Sequence, residues 1–200
     1  TISSMVPLTS AEQLLLLALD DATGKLLPMP DRALDYALAG AVLADLVRVG
    51  RVEISMDSIA IVDRNPVQSA PEDLGLLDLE QADVNSLKGA LSHLAGDAHG
   101  LRKRVIEQLV SKGILREEDK EFLWVFHFSR YPLADPETEI AIKQRLRNRI
   151  RDSEIPMSNR DHLLISLIHA CQLEILLLSE EEHSKCSARI EEIATRDRIG

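Results

Sequence analysis

The chain has 200 residues, 45 % hydrophobic and 28 % charged, which suffices for one domain with its own core and excludes a disordered chain. Only 3 % of the residues are aromatic, and Leu, Ile, Val and Ala dominate, which favours helices packed on helices. A net charge of −10 argues against general nucleic-acid binding, because neutralising phosphates needs a basic face.

In chain order, Thr9-Ser10-Ala11-Glu12 reads as a capping box opening a helix through Leu14–Leu19, closed by the turn residues Asp20 to Gly24. After Pro28 and Pro30, the Ala/Leu-rich stretch Asp31 to Val49 predicts a second helix with Gly50 at its C-terminus. Arg51-Val52-Glu53-Ile54 and Ile59-Ala60-Ile61-Val62 alternate around Met56-Asp57-Ser58 and predict a hairpin. Val67 to Leu77 reads as a loop, and Gln81 to Leu94 as a short helix ending at Gly96. Leu101, Val105, Ile106, Leu109 and Val110 share one helical face, leaving Arg102, Lys103 and Arg104 exposed.

A second hairpin is expected to pair Ile114-Leu115 with Phe122–Phe128 across Glu117-Glu118-Asp119. With it, Leu46-Val47-x-x-Gly50, hairpin, Arg64-Asn65-Pro66 is repeated as Leu109-Val110-x-x-Gly113, hairpin, Arg130-Tyr131-Pro132. Two copies of a helix-plus-hairpin unit are too few for a solenoid. Ile142, Leu146 and Ile150 mark a further helix by their i, i+4, i+8 stripe. Pro156 ends it, and Asp161 can cap the next. Leu163 to Leu178 predicts a buried central helix, interrupted by His169, Gln172 and Glu174 and too short to span a membrane. An amphipathic segment through Ile193 closes the chain.

Charge is unevenly distributed. From Leu101 to Arg151 the local balance is 12 basic against 8 acidic residues, whereas the remainder is net −14. From Lys143 to Arg151 every second residue is basic. Such a dipole can orient on an anionic surface, and the basic residues can bind phosphates or anionic lipid. The competing reading is a solvated helix face neutralised by this chain's own carboxylates. Three cations in the first turn of a helix oppose its macrodipole, which favours a use for them.

His162, Ser166, His169 and Gln172 form one polar strip, read as hydrogen-bonded core residues because the histidines lack metal-ligand spacing. Cys171 and Cys186 are placed on one helical stretch or its continuation, roughly 22 Å apart and beyond disulfide reach. Unpaired cysteines and the lack of a basic, apolar leader in Thr1 to Pro7 point to a reducing, cytoplasmic location without a signal peptide. No nucleotide-binding, hydrolase or zinc-protease motif is present, so no enzyme, metal or cofactor is expected. Trp124, Phe126 and Phe128 alternate with Leu123, Val125 and His127, a strand apolar on both faces that is expected to meet another element or subunit.

Several ordered motifs together resemble the Golgi phosphoprotein 3 family, which includes a yeast vacuolar sorting relative. They are Leu8-Thr9-x-x-Glu12-x-Leu14-Leu15-Leu16 with Leu19, Asp21 and Gly24; Leu38-x-Gly40-x-x-Leu43 leading into Gly50-Arg51; and Leu109-Val110-x-Lys112-Gly113. Pro132-Leu133, Ile142-Lys143-Gln144-Arg145-Leu146 and Leu163-Leu164 through His169-Ala170 complete the set. The family also has prokaryotic members. The resemblance implies a single domain over residues 1–200, mainly α, a compact helical bundle around a central hydrophobic helix with two small β-hairpins. It further implies a non-enzymatic protein, cytoplasmic and peripherally membrane-associated, that binds phosphatidylinositol 4-phosphate and acts as an adaptor for cytoplasmic tails of membrane proteins.

By the same resemblance the headgroup pocket uses a tryptophan before the second helix, an arginine within it, and two arginines in the basic helix. Here these positions hold Pro30, Ala39, His99 and Arg102. Arg102 and His99 are therefore the carried-over candidates for the anionic headgroup, with Lys103, Arg104, Arg145 and Arg149 added on charge and helical spacing. A hairpin at Phe122–Tyr131, with Trp124, Phe126, Phe128 and Tyr131, is implied in self-association and membrane contact. Two other readings stay open. One is an oligomeric scaffold that has lost lipid binding. The other is a winged-helix nucleic-acid binder, disfavoured by Glu53, Asp57, Glu117, Glu118 and Asp119 on the candidate wings.

Overall fold

A computed structural model of the chain describes residues 7–117 and 131–196, with the side chains of Ala98 and His99 outside that set. The first helix, α1 (Ser10–Leu17), has every one of its side chains buried, so its N-terminal amides cannot turn to water. They are satisfied within the protein. Thr9 Oγ1 accepts from Glu12 N at 3.2 Å and Glu12 Oε2 accepts from Thr9 N at 2.8 Å, the expected capping box. The remaining two donors go to a different helix: Asp45 Oδ2 accepts from Ser10 N (2.8 Å) and Ala11 N (3.3 Å), and Asp45 Oδ1 accepts from Ser10 Oγ (2.8 Å). All four orphan donors of the helix start are thereby paired.

Asp45 belongs to α2 (Ala33–Arg48), the hub of the bundle, which packs against α1, α3 (Ala70–Ala82), α4 (Leu87–Gly96), α5 (Ala98–Ser111) and α7 (Asn159–Ala170). Leu38, Leu43 and Leu46 on α2 and Leu14 to Leu17 on α1 form the dry centre. On its outer side α6 (Pro136–Arg151) inserts Ile142, Leu146 and Ile150, the expected stripe, and α8 (Glu180–Arg196) covers α7. The mainly α bundle is thus observed, with its most buried helices being α1 and α2 rather than the Leu163–Leu178 segment alone.

The repeated Leu-Val-x-x-Gly motif has a common structural cause. Gly50 (φ 72°) and Gly113 (φ 74°) both take the left-handed conformation after a helix. In each copy the glycine N–H donates to the carbonyl three residues back and the next N–H donates to the carbonyl five back: Gly50 to Val47 and Arg51 to Leu46, then Gly113 to Val110 and Ile114 to Leu109, all at 2.9–3.0 Å. This double bond is the Schellman ending, and a residue with a Cβ is strained there. The first copy leads into the antiparallel hairpin β1 (Val52–Ser55) and β2 (Ser58–Ile61), registered Val52 with Ile61 and Ser55 with Ser58. In the second, Leu115 bridges Leu133, downstream of the strand expected to pair with it. That strand, Phe122–Phe128 with Trp124 and Phe126, and hence the second hairpin, lies outside the described residues.

Three expectations are corrected. Val67 to Leu77 is not a loop throughout. Helix α3 starts at Ala70 with Pro71 in its first turn, where a proline is tolerated, and buries Leu76 and Leu79. The helix expected over Gln81 to Leu94 is split, since Asp83 (φ 50°) ends α3 and the Ser86 side chain caps α4 by accepting from Gly89 N. Asp161 does not cap α7; Ser158 Oγ does, at 3.1 Å from Asp161 N, leaving the Asp161 carboxylate for another task.

Helix α7 also stops at Ala170, because Gln172 adopts φ 56° and turns the chain into a 3-10 helix at Glu174–Leu176. Cys171, just past the end of α7, and Cys186 on α8 therefore do not share one rod, and both are free thiols. Of the polar strip, Ser166 is buried and donates to His162 O, while His169 pairs with Glu174 nearer the surface and Gln172 is exposed.

A buried acid completes the centre. The Glu72 carboxyl on α3 bonds the Ser69 hydroxyl, and its Oε1 has no partner among the described residues. Burial, reinforced by the charges of Asp45 and Glu12, pushes it up to about 7 from its ordinary 4.5, against the lowering effect of Ser69. The folded protein then holds a proton that the unfolded chain releases, so stability falls as pH rises from 4.5 to 7.

Glu72→Gln should reduce that fall, to which Glu139, pushed up to about 7 by burial, also contributes, and leave the variant more stable than the parent at pH 8 by about 2–3 kcal/mol. Urea unfolding at pH 5 and pH 8 measures it. Asp45→Ala, which leaves buried donors of α1 unpaired, should cost about 2–4 kcal/mol in the same assay.

Candidate functional site

Two helices carry the basic residues, and the structure uses them differently. In α6 a basic residue at every second position advances about 200° per step, so the cations flank the apolar stripe on both sides instead of forming one face. Each meets an acid of this chain. Lys143 Nζ lies 2.7 Å from Glu139 and 3.4 Å from Asp21. Arg145 donates from Nε to Asp161 Oδ1 at 2.9 Å and from Nη2 to Gln13 Oε1 at 2.6 Å. Arg149 Nε lies 3.6 Å from the other Asp161 oxygen.

Arg147 and Arg151 share Glu182 of α8, whose carboxyl is held down to about 2, chiefly by the Arg147 hydrogen bond. Arg145 and Arg149, two of the candidate headgroup ligands, thus clamp a buried aspartate and tie α6 to α7. Neither of the cavities that Arg102 lines includes them.

Helix α5 presents the other basic cluster. Leu101, Val105 and Leu109 are buried, which turns Lys103 and Arg104 outward, where both meet Glu107, at 3.8 and 3.3 Å. Such exposed pairs hold weakly. Arg102 points instead toward the start of α2, and its Nη2 lies 2.7 Å from Asp35 Oδ1. The second Asp35 oxygen lies 3.9 Å from Arg32 Nε. One carboxylate therefore stands between two guanidiniums; it hydrogen-bonds Arg102, whereas Arg32 Nη2 donates to Ala95 O at 3.4 Å. Arg102 Nε is buried and has no hydrogen-bond partner among the described residues. The Arg32 guanidinium lies 5.2 Å from the centre of the Tyr36 ring, within cation–π range.

Arg32, Asp35 and Arg102 border a cavity of about 320 Å³ between α5, the start of α2 and the segment 26–31. Arg32 is the residue preceding α2, with left-handed φ 59°, and no side chain caps that helix end. Positive dipole charge at a helix start adds to the two guanidiniums; Asp31, also at the cavity wall, opposes them. The arrangement suits a phosphate that exchanges with Asp35 on the arginine forks.

Of the four resemblance-implied pocket positions, Pro30 and Arg102 border this cavity, Ala39 is fully buried in the core, and His99 lies in the first turn of α5. Sequence reasoning missed Arg32, Asp35 and Tyr36. The one available signal was an arginine two residues after Pro30 at the start of a helix, which brings a cation to that mouth from a new position. Tyr131 is half-buried and contributes, with Lys103 and Ile106, to a second groove along α5, while Trp124, Phe126 and Phe128 lie outside the described residues. Among the described residues, no group of three His, Cys, Asp or Glu side chains is placed to hold a metal ion.

Comparison with known proteins places these features in context. The family model for Golgi phosphoprotein 3 (GPP34) matches residues 11–200. A vacuolar protein sorting-associated protein 74 from Eremothecium gossypii is 28 % identical over 160 residues, covering 70 % of this chain and 48 % of that relative. A protein of the same name from Schizosaccharomyces pombe is 24 % identical over 223 residues, covering 93 % of this chain and 66 % of the relative. The chain thus spans about half to two-thirds of the length of these relatives.

Because Arg145 bonds a buried aspartate whereas Lys103 is exposed, Arg145→Gln should destabilise the fold by about 1–3 kcal/mol, and Lys103→Gln should leave it nearly unchanged. Thermal melting of the two variants separates the roles.

Proposed function

Because the chain belongs to the Golgi phosphoprotein 3 family, we propose that it is a non-enzymatic peripheral membrane protein whose cavity between α2 and α5 takes the phosphorylated headgroup of an anionic phospholipid. The family implies phosphatidylinositol 4-phosphate as that lipid. The observation that carries the reading is the convergence of Arg102 and Arg32 on one cavity at the uncapped start of α2. Guanidinium forks give a phosphate directional, charge-assisted bonds that ammonium groups do not. Asp35 holds the Arg102 fork in place, so little of that side chain's order is lost when phosphate arrives. Among the described residues no helix is long and apolar enough to cross a membrane, which fits attachment from the surface.

The test is co-sedimentation with phosphatidylcholine vesicles carrying phosphatidylinositol 4-phosphate, or phosphatidylserine at equal charge. Arg102→Glu and Arg32→Glu should each weaken binding to the phosphoinositide vesicles about tenfold or more. Lys185→Glu, on the exposed face of α8, should change it little. Equal loss in all three variants would reduce the interaction to nonspecific charge and overturn the assignment.

A further inference from the structure

The mouth of this cavity has a second property that headgroup binding does not use. The segment leading from α1 to α2, Leu26-Leu27-Pro28-Met29-Pro30, forms one wall and is apolar throughout. Leu26 is 39 % exposed, and Tyr36, one turn into α2, is 42 % exposed. Pro28 and Pro30 are exposed as well, and Leu27 and Met29 are half-buried.

The segment is held in place. Leu26 bridges Leu19, Leu27 N donates to Ala18 O at 2.9 Å, and Asp20 N donates to Lys25 O at 2.7 Å. Gly24, at φ 63°, lies under the backbone of Tyr131, where a Cβ would come within 2.5 Å of the carbonyl carbon. Only glycine fits that approach. An apolar tip on a fixed base carries a small entropic cost of burial, because its backbone is already ordered.

Resting on the proposed headgroup site, we propose that Leu26–Pro30 forms an interfacial anchor that enters the headgroup–acyl boundary of an anionic bilayer while Arg32 and Arg102 hold a lipid phosphate beside it. The occupant follows from two features together. Lys25 precedes the apolar tip and Arg32 follows it after Asp31, and an apolar run with a cation near each end is the amphipathic chemistry of a membrane interface. The patch is also only a handful of side chains, far below the roughly 20–30 residues a side of a stable protein interface. Asp31 at its inner end, and Asp20 and Asp21 behind it, limit insertion to the interface depth.

The experiment compares the parent with Leu26→Ser/Met29→Ser in two assays. One is co-sedimentation with phosphatidylcholine vesicles containing phosphatidylinositol 4-phosphate at near-physiological and at high salt. The other is calorimetric titration with soluble inositol 1,4-bisphosphate, which has the phosphate chemistry and no bilayer. Because Leu26 and Met29 also wall the headgroup cavity, the comparison is between the two losses: vesicle affinity should fall about tenfold more than affinity for the soluble headgroup, mostly in the salt-resistant part. Equal losses in the two assays would assign the segment to the headgroup site alone and overturn the anchor. Leu26→Trp should gain vesicle affinity, since indole favours the interface; this second variant guards against a simple folding defect.

Unchanged vesicle binding in the double variant would overturn the anchor while leaving the headgroup site standing. A parent that binds neither vesicles nor inositol bisphosphate would overturn both. Loss of a dimer by light scattering, with vesicle affinity kept, would assign the patch to a second copy of the chain and overturn the anchor.

Discussion

The fold depends on how the start of α1 is satisfied in the dry centre of the bundle. A helix whose every side chain is buried leaves its first amides facing protein, and each unpaired donor there carries a desolvation penalty. Asp45 removes it by lending α2's carboxylate to the start of α1. The same turn radiates further. Glu12 binds Lys112 Nζ at 2.7 Å, Gln13 accepts from Arg145, and Leu8 O accepts from Arg160 at 3.2 Å. With its amide nitrogen toward Glu12 Oε1 at 2.6 Å and its oxygen toward Ala70 N at 2.9 Å, Gln108 joins α5 to both α1 and α3. One helix start thereby sets the positions of α2, α3, α5, α6 and α7.

That network explains why an acidic protein carries so basic a helix as α6. Its cations are counterions of buried or shared carboxylates, Asp161 foremost, and they hold α6, α7 and α8 together. A buried carboxylate with two guanidiniums is costly to disturb from either side. Among the described residues the cations of α5 meet no such fully buried acid. Lys103 and Arg104 remain at the surface, and Arg102 shares Asp35 with Arg32 at the edge of an open cavity. The same residue type is cement in one helix and accessible in the other, and the difference lies in what the neighbouring element supplies.

The cavity mouth follows from these constraints. Because α1 is pinned at its start and ends at Leu17, the chain must cross from its far end to α2 over a short apolar segment with two prolines, neither of which can donate to a ladder. The segment stays at the surface, beside the helix start that Arg32 occupies in a left-handed conformation. A non-glycine residue held there stores strain of about 1–3 kcal/mol, which such sites tolerate when the surrounding structure determines the geometry.

Much of the fold was legible in local sequence because local physics decided it. The Thr9–Glu12 capping box, the Leu-Val-x-x-Gly endings at Gly50 and Gly113, the Ile142/Leu146/Ile150 stripe and the β1–β2 alternation each involve residues within a few positions of one another. Helix α3 was missed because Pro71 and Gly75 read as turn residues, whereas Pro71 falls in the permitted first turn. At the candidate site, Arg102 was legible by its position on α5, but its partners were not: Asp35 lies 67 residues away in sequence, and Arg32 gains its meaning only from the cavity it borders. The sequence by itself determined the helices, their ends and the apolar faces that bring them together. Which cations are spent on buried acids and which remain open to a ligand was decided by tertiary structure alone, because charge pairing depends on distances between elements that no local spacing encodes.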